Sequence, residues 1–221
     1  MLRAMNIAVM GTGEVGRTIA SKLVELGHHV RLGSRTADNA KGVAWAEEAG
    51  ERASTGTYAD AAAFGTLVVN ATLGVASVEA LKSAGEDALV DKIIVDVSNP
   101  LDFSGGFPPK LSVSNDDSLG EQIQRTFSRS KVVKTLNTMW NGLMVDPRKI
   151  ESSHVVFLCG NDDGAKGQVR SLLESFGWRA DEMLDLGDIT NARGTEAYLL
   201  LWTRIYAATD SGAFNLQLAN V

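Results

Sequence analysis

The chain has 221 residues, 44% hydrophobic and 22% charged, with a formal net charge of −6. That is room for one large globular domain, and the negative charge argues against a nucleic-acid surface or an anionic membrane as partner. No apolar run is long enough to span a bilayer, no secretory signal is readable, and the one cysteine, Cys159, cannot form a disulfide within the chain, so a reducing, cytoplasmic setting is expected.

The first predicted strand, Asn6 to Met10, runs into Gly11-Thr12-Gly13-Glu14-Val15-Gly16. A helical pattern follows, with apolar residues at Val15, Ile19, Leu23 and Leu26 and a stop at Gly27. Strand, glycine turn and helix in this order are the dinucleotide-binding pattern. Gly11 makes the turn, Gly13 lets a pyrophosphate approach the backbone, and Gly16 lets helix and strand pack closely. The helix start offers free N–H groups to the phosphates. The second strand, His29 to Leu32, ends in Gly33-Ser34-Arg35-Thr36. NAD enzymes carry an acidic residue near this point to accept from the ribose 2′-hydroxyl. Here Ser34, Arg35 and Thr36 offer donors instead, which suits a 2′-phosphate and favours NADP(H). Asp38 would reverse that preference only if the strand ended later.

The pattern then predicts a helix over 39–49, a short strand over 53–57, a helix over 58–64, a strand over 67–70 and a helix over 76–83. Lys92 to Val97 is the clearest strand and ends in Ser98-Asn99-Pro100. The alternation of strands and helices predicts right-handed βαβ units, hence an α/β fold: a Rossmann-type, doubly wound, mostly parallel sheet. Residues 101–118 break the rhythm and read as a long loop. Its Phe103 and Phe107 are suited equally to walling a substrate ring and to tucking the loop onto the body. A helix over 119–127, a sixth strand over 131–136, a strand over 154–159 and a helix ending at Gly177 follow. Asn161, Asp162 and Asp163 read as the start of that helix, since no further ligands stand at metal-binding spacing. The last helix, from near Thr190 to Thr209, is apolar all round in its middle, Ala197 to Trp202. Such a helix needs a second partner, a twofold-related copy or a covering within the monomer. The chain therefore reads as one domain, 1–221, with 188–221 a C-terminal helical segment used for dimerisation.

Three loops leave strand ends near the crevice: Asn70-Ala71-Thr72-Leu73-Gly74, Asp96 to Pro100, and Leu136-Asn137-Thr138-Met139-Trp140-Asn141. They hold no His–Asp pair, no nucleophile–base set and no lysine placed as a proton donor, so no catalytic side chain is named. His28, His29 and His154 fall at strand starts, the wrong edge for catalysis. Reduction of a carbonyl or imine needs a proton donor beside the nascent anion. Hydride exchange between two redox cofactors asks the protein mainly to stack rings and exclude water.

On these residues the chain resembles the NADPH-dependent coenzyme F420 reductases, which transfer hydride between nicotinamide and a deazaflavin. The likeness rests on the Gly11–Gly16 turn, Leu26-Gly27-His28 leading to Gly33-Ser34-Arg35, Val132-Val133-Lys134 with Asn137-Thr138, Cys159-Gly160-Asn161-Asp162-Asp163, and Asp185-Leu186-Gly187 through Asn191-Ala192-Arg193 into the final helix. The resemblance implies that Thr12 to Val15 hold the pyrophosphate and that Ser34 and Arg35 hold the 2′-phosphate. It implies that Thr72 to Val75 and Asn137 to Asn141 line the nicotinamide and deazaflavin rings, and that the protein dimerises through its C-terminal region. Asn137 stands where deazaflavin-using members often have His, and Trp140 and Asn141 replace smaller residues. Trp140 either stacks on a ring or closes the acceptor pocket. A more distant likeness is to the cytosolic domain of the six-transmembrane metalloreductases, which pass hydride to a flavin such as FMN or FAD. The N-terminal half also looks like pyrroline-5-carboxylate reductase. Reduction of a small carbonyl or imine, and NADP(H) binding without turnover, stay open as alternatives.

Overall fold

The computed structural model describes residues 3–219. Among them, ten strands and ten α-helices follow in chain order. β1 (Asn6–Met10), α1 (Glu14–Glu25), β2 (His29–Ser34), α2 (Ala40–Ala49), β3 (Ala53–Thr57), α3 (Tyr58–Phe64) and β4 (Leu67–Asn70) come first. α4 (Ser77–Ser83), α5 (Glu86–Leu89), β5 (Ile93–Asp96), β6 (Leu101–Asp102), β7 (Lys110–Leu111), α6 (Leu119–Thr126) and β8 (Lys131–Thr135) form the middle. α7 (Asn141–Val145), β9 (Val156–Gly160), α8 (Asp163–Phe176), β10 (Met183–Asp185), α9 (Ala192–Ala197) and α10 (Leu199–Thr209) complete the chain.

Eight strands make one sheet in the order β10-β9-β8-β5-β4-β1-β2-β3. Side chains alternate across it, which is why each strand feeds two cores. Ile7, Val9, Val69 and Val133 face one core, with α1, α2, α7 and α8. Ala8, Met10, Val68 and Val132 face the other, with α3 to α6 and α9. Helices on both faces explain the near-continuous apolar strands and give the expected doubly wound Rossmann-type fold. The chain leaves β1 toward β2 and β3, then returns to β4 on the other side of β1. The order therefore switches between β1 and β4, and a crevice opens above their carboxyl ends.

Several elements differ from the sequence expectation. β9 pairs antiparallel with β8, and β10 runs parallel to β9, so both oppose the rest of the sheet. The start of β9, and His154 with it, thus lies on the crevice edge and not on the far edge. His154 is nonetheless buried; its ring faces the Pro147 carbonyl at 2.9 Å and the Asn215 amide at 2.8 Å, and packs edge-on against Trp178. The loop over 101–118 contains a two-stranded ribbon, β6 with β7. The short elements α5, α7 and β10 carry too few residues to show a period. The terminal helix starts at Ala192 and is interrupted at Tyr198, which keeps helical dihedrals. Its buried face is not apolar throughout: Ala192, Thr195, Glu196, Leu199 and Thr203 point inward, while Leu201 and Tyr206 are exposed.

Candidate functional site

The glycine turn after β1 is shaped by close contacts on both sides. Gly11 has φ +108°, and a Cβ there would sit 2.6 Å from the Ala71 carbonyl oxygen, so the turn lies directly on the loop after β4. A Cβ at Gly16 would run into the Gly11 carbonyl. At Gly13 the reverse holds: a Cβ would meet nothing within 4 Å. Gly13 caps α1 with no side-chain hydrogen bond, so the first N–H groups of this helix open onto free space beside a positive dipole end.

β2 runs to Ser34, two residues beyond the expected Leu32, and Asp38 still lies outside it, in the turn beyond. Ser34 is buried, and its hydroxyl donates to the Thr36 carbonyl at 2.5 Å. That contact shapes the turn and presents Arg35 to the cleft; Thr36 is exposed beside it. Tyr58 stands near Arg35; burial raises its phenol pKa, and the guanidinium acts in the opposite sense.

Two compartments meet at Thr72. The larger, about 490 Å³, is lined by Gly11, Thr12, Gly13, Arg35, Tyr58, Ala71, Thr72, Leu73, Ala76 and the α4 residues Glu79, Ala80 and Ser83. The smaller, about 150 Å³, is lined by Val15, Ala71 to Gly74, Val97 to Asn99 and Leu101. A third and larger groove, about 620 Å³, runs along the outer side of α1 between Glu14 and Lys149. Its mixed charges lie away from the switch point, so the compartments above the strand ends are the candidate site.

The three loops are packed against one another. A Cβ at Gly74 would run into the Asn99 carbonyl. Asn99 and Asn137 bond reciprocally: the Asn99 amide donates to the Asn137 carbonyl at 2.8 Å, and the Asn137 amide to Asn99 Oδ1 at 2.9 Å. Leu136 just before them has φ 61°, a left-handed backbone that costs a leucine about 1–2 kcal/mol and persists only where packing over-determines it. As a result Asn137, Thr138, Met139 and Asn141 are buried. The Asn141 amide donates to Glu14 Oε1 at 3.2 Å and Thr18 Oγ1 at 2.9 Å, clamping α7 to α1. Trp140 is 37% exposed, but its indole folds back over Gly142 and lies against Gly212, lining neither compartment. Val75 is exposed at the rim and Pro100 is buried.

Beneath the loops lies a buried ionic group that the sequence reading missed. Lys134 Nζ stands 2.8 Å from Asp96 Oδ2 and 2.7 Å from Glu196 Oε1. Glu196 also accepts the Leu119 and Gly120 N–H groups at 2.8 and 3.0 Å. Burial pulls the Lys134 ammonium pKa down, but the two carboxylates outweigh it, and the net shift is upward. Lys134 is therefore a fixed cation and not a proton donor. The missed signal was the pair of charged residues inside two apolar strands, Asp96 and Lys134, since charges buried there must be paired.

Among the described residues no helix is long and apolar enough to cross a membrane, and no group of three or more His, Cys, Asp or Glu is placed to hold a metal ion. Burial pushes the Cys159 thiol up to about 12.

Sheet order, switch point and glycine turn define a Rossmann-type α/β protein of the dinucleotide-binding kind. Residues 6–100 match the family model described as NADP oxidoreductase, coenzyme F420-dependent. A crystal structure from Arthrobacter sp. FB24, described as that of a candidate F420-dependent NADP reductase, superposes with a TM-score of 0.92 at 49% identity, over 98% of this chain and 100% of that one. The F420-dependent NADP reductase of Methanocaldococcus jannaschii is 27% identical over 98% of this chain and 99% of its own length. The rat metalloreductase STEAP3 is 28% identical over 88% of this chain, which spans only 36% of that protein's length. The chain belongs to the coenzyme F420-dependent NADP oxidoreductase family.

Proposed function

We propose that this chain is an NADP(H)-dependent oxidoreductase that moves hydride between a nicotinamide and a deazaflavin of the coenzyme F420 type. The observation that carries the reading is one cleft with Arg35 on one wall and the uncapped start of α1, over the open space at Gly13, on the other. That arrangement suits a nucleotide carrying both a pyrophosphate and a 2′-phosphate. The acceptor class comes from a relative named as an F420-dependent NADP reductase that is matched over 99% of its length, and from the Arthrobacter structure described as a candidate of the same kind. The bound nicotinamide supplies the hydride chemistry itself.

In this reading the N–H groups of residues 12–15 hold the pyrophosphate. Arg35 holds the 2′-phosphate, with Ser34 fixing the turn and Thr36 beside it. Ala71, Thr72, Leu73, Gly74, Asn99 and Val15 enclose the nicotinamide side, and the exposed Leu73 and Val75 suit contact with a flat ring. Asn137, Thr138, Met139, Asn141 and Pro100 support these loops from below. Trp140 belongs with the C-terminal segment: Gly212 lies against it, and Trp202 stacks on Tyr206 and Phe214 at 5.6 and 5.4 Å. The segment 188–221 serves dimerisation in this reading. Support comes from a terminal helix that turns Thr195, Glu196 and Thr203 inward and leaves Leu201 and Tyr206 uncovered. The protein acts in the cytoplasm, in keeping with its single buried cysteine.

The test mixes the purified protein with NADPH and coenzyme F420, then with NADPH and FMN, and follows absorbance at both cofactors' bands. Turnover with the deazaflavin supports the proposal. Turnover with FMN alone moves the acceptor to a flavin. NADPH binding with no turnover on either refutes an oxidoreductase of this class.

A further inference from the structure

The ionic group under the loops is joined to the cleft by a directed chain of hydrogen bonds. Lys134 donates to Asp96 Oδ2 at 2.8 Å and to the Ser98 carbonyl at 2.6 Å. Asp96 Oδ1 accepts from the Asn70 amide at 2.9 Å and from the Ser98 hydroxyl at 2.6 Å. The Thr72 hydroxyl donates to Asn70 Oδ1 at 2.7 Å and lies 2.7 Å from the Ser77 hydroxyl. Asn70, Ser77, Asp96, Ser98 and Lys134 are all buried; Thr72 reaches both compartments.

The direction of every proton follows from the two ends. An ammonium only donates and its carboxylate partner only accepts. Asn70 must then turn its NH₂ toward Asp96, which leaves its carbonyl oxygen for Thr72. The single hydroxyl proton of Thr72 is taken by that oxygen, and Ser77, which lies nearer to Thr72 (2.7 Å) than to the Ser98 hydroxyl (3.2 Å), fills one of its two lone pairs. What Thr72 offers a ligand is the remaining lone pair. Phosphate oxygens are acceptors too and gain nothing from it, so the matching group is a donor on the nucleoside beside the smaller compartment.

We propose that Asp96 is a positioning residue for the cofactor: acting through Asn70, it fixes the Thr72 hydroxyl as an acceptor for a donor of the nicotinamide nucleoside, the carboxamide N–H or a ribose O–H. This rests on the NADP(H) reading above. Asp96→Asn reverses the chain. The buried ammonium at 2.8 Å from Oδ2 outweighs the longer Ser98 N–H contact to Oδ1 at 3.2 Å, so the new amide turns its oxygen to Lys134 at the cost of that N–H contact and turns its NH₂ to Asn70; Asn70 flips, and Thr72 then donates toward the cleft. Glu196 still balances Lys134 one to one in this variant.

The experiment measures NADPH affinity by fluorescence for the wild type, Thr72→Val, Thr72→Ser, Asp96→Asn and the double variant Thr72→Val/Asp96→Asn. Loss of one hydrogen bond corresponds to about a five- to tenfold weakening. That loss is expected for Thr72→Val and for Asp96→Asn, with Thr72→Ser within about twofold of wild type. The double variant is expected to be no weaker than Thr72→Val alone, because Asp96 acts only through Thr72. A merely structural role for Asp96 would instead make the two effects multiply. The same set is titrated with the 3-acetylpyridine analogue of NADPH, in which a methyl ketone replaces the carboxamide. If wild type discriminates against the analogue and Thr72→Val does not, the donor is the carboxamide. Equal weakening of both nucleotides by Thr72→Val assigns a ribose hydroxyl. Unchanged affinity in Thr72→Val, or multiplying effects in the double variant, overturns the inference. If Asp96→Asn melts far below wild type, Asn70→Ala takes its place in the same cycle. A wild-type protein that binds no NADPH refutes the functional reading itself before any variant is compared.

Discussion

Lys134→Met is the most informative perturbation of this fold. The ammonium is fully buried and pairs with two carboxylates at 2.8 and 2.7 Å, Asp96 and Glu196. Removing one partner of a buried pair leaves an uncompensated charge and costs about 3–5 kcal/mol. Here two carboxylates are left, with Glu196 partly satisfied by the α6 N–H groups. For a chain of this size each kcal/mol corresponds to about 2–4 °C, so the melting temperature is expected to fall by roughly 6–20 °C. The pH dependence separates this cause from a simple loss of packing. With the cation gone, the two carboxylates face each other in one buried space, which raises the pKa of the pair. A carboxylate pKa raised in the folded state means the folded protein binds the extra proton. Lys134→Met should therefore recover part of its loss as pH falls from 8 toward 5. The triple variant Lys134→Met/Asp96→Asn/Glu196→Gln, neutral at all three positions, should recover part of it at every pH. Melting curves by circular dichroism at pH 8, 7, 6 and 5 provide the measurement. A variant that melts within about 2 °C of wild type, or that loses the same increment at every pH, would refute the reasoning.

Arg35→Ser should lower the preference for NADPH over NADH by about ten- to a hundredfold, the value of one to two charge-assisted hydrogen bonds, read as the ratio of the two dissociation constants. An unchanged ratio would remove Arg35 from the 2′-phosphate site. Gly13→Val should weaken NADPH binding while leaving the melting temperature within a few degrees, because nothing lies within 4 Å of a Cβ there and the backbone at φ −69° is open to any residue. Gly16→Ala should lower the melting temperature as well, since its Cβ meets the Gly11 carbonyl. Equal thermal loss in the two variants would argue against that division of roles. The hydrogen bonds from Arg125 are the main reason the Asp117 carboxyl lies at about 2 rather than 3.8. A depressed carboxylate stabilises the fold above its unfolded pKa and loses that effect as pH falls through its folded one. Arg125→Met should thus cost up to about 1 kcal/mol at pH 6, given the exposure of the pair, and the difference should shrink toward pH 2. Urea titrations across that range would show it; a gap that widens with acid would count against it.

The cofactor half of the protein was legible in the sequence because it is local. A strand, a glycine turn and a helix within Asn6 to Glu25 act through backbone geometry that neighbouring residues set, and no distant partner is needed to recognise them. The absence of a carboxylate at the end of β2 is equally local, and so is the apolar character of strands that feed a core on each face. The other half depends on which strands become neighbours. The reversed direction of β9 and β10, which brings His154 to the crevice edge, comes from pairing with β8 and leaves no trace in periodicity. The inward turn of Asn137, Thr138, Met139 and Asn141 depends on Asn99 arriving from another loop and on Glu14 and Thr18 of α1. Above all, Asn70, Asp96, Lys134 and Glu196 come from β4, β5, β8 and α9. In sequence Asn70, Asp96 and Lys134 each interrupt an apolar strand, and Glu196 stands in a mixed stretch after Arg193 and Thr195. Only the tertiary structure decides that they form one charge-paired chain, because the cost of burying a charge can be met by a partner anywhere along the chain and sequence spacing does not say where.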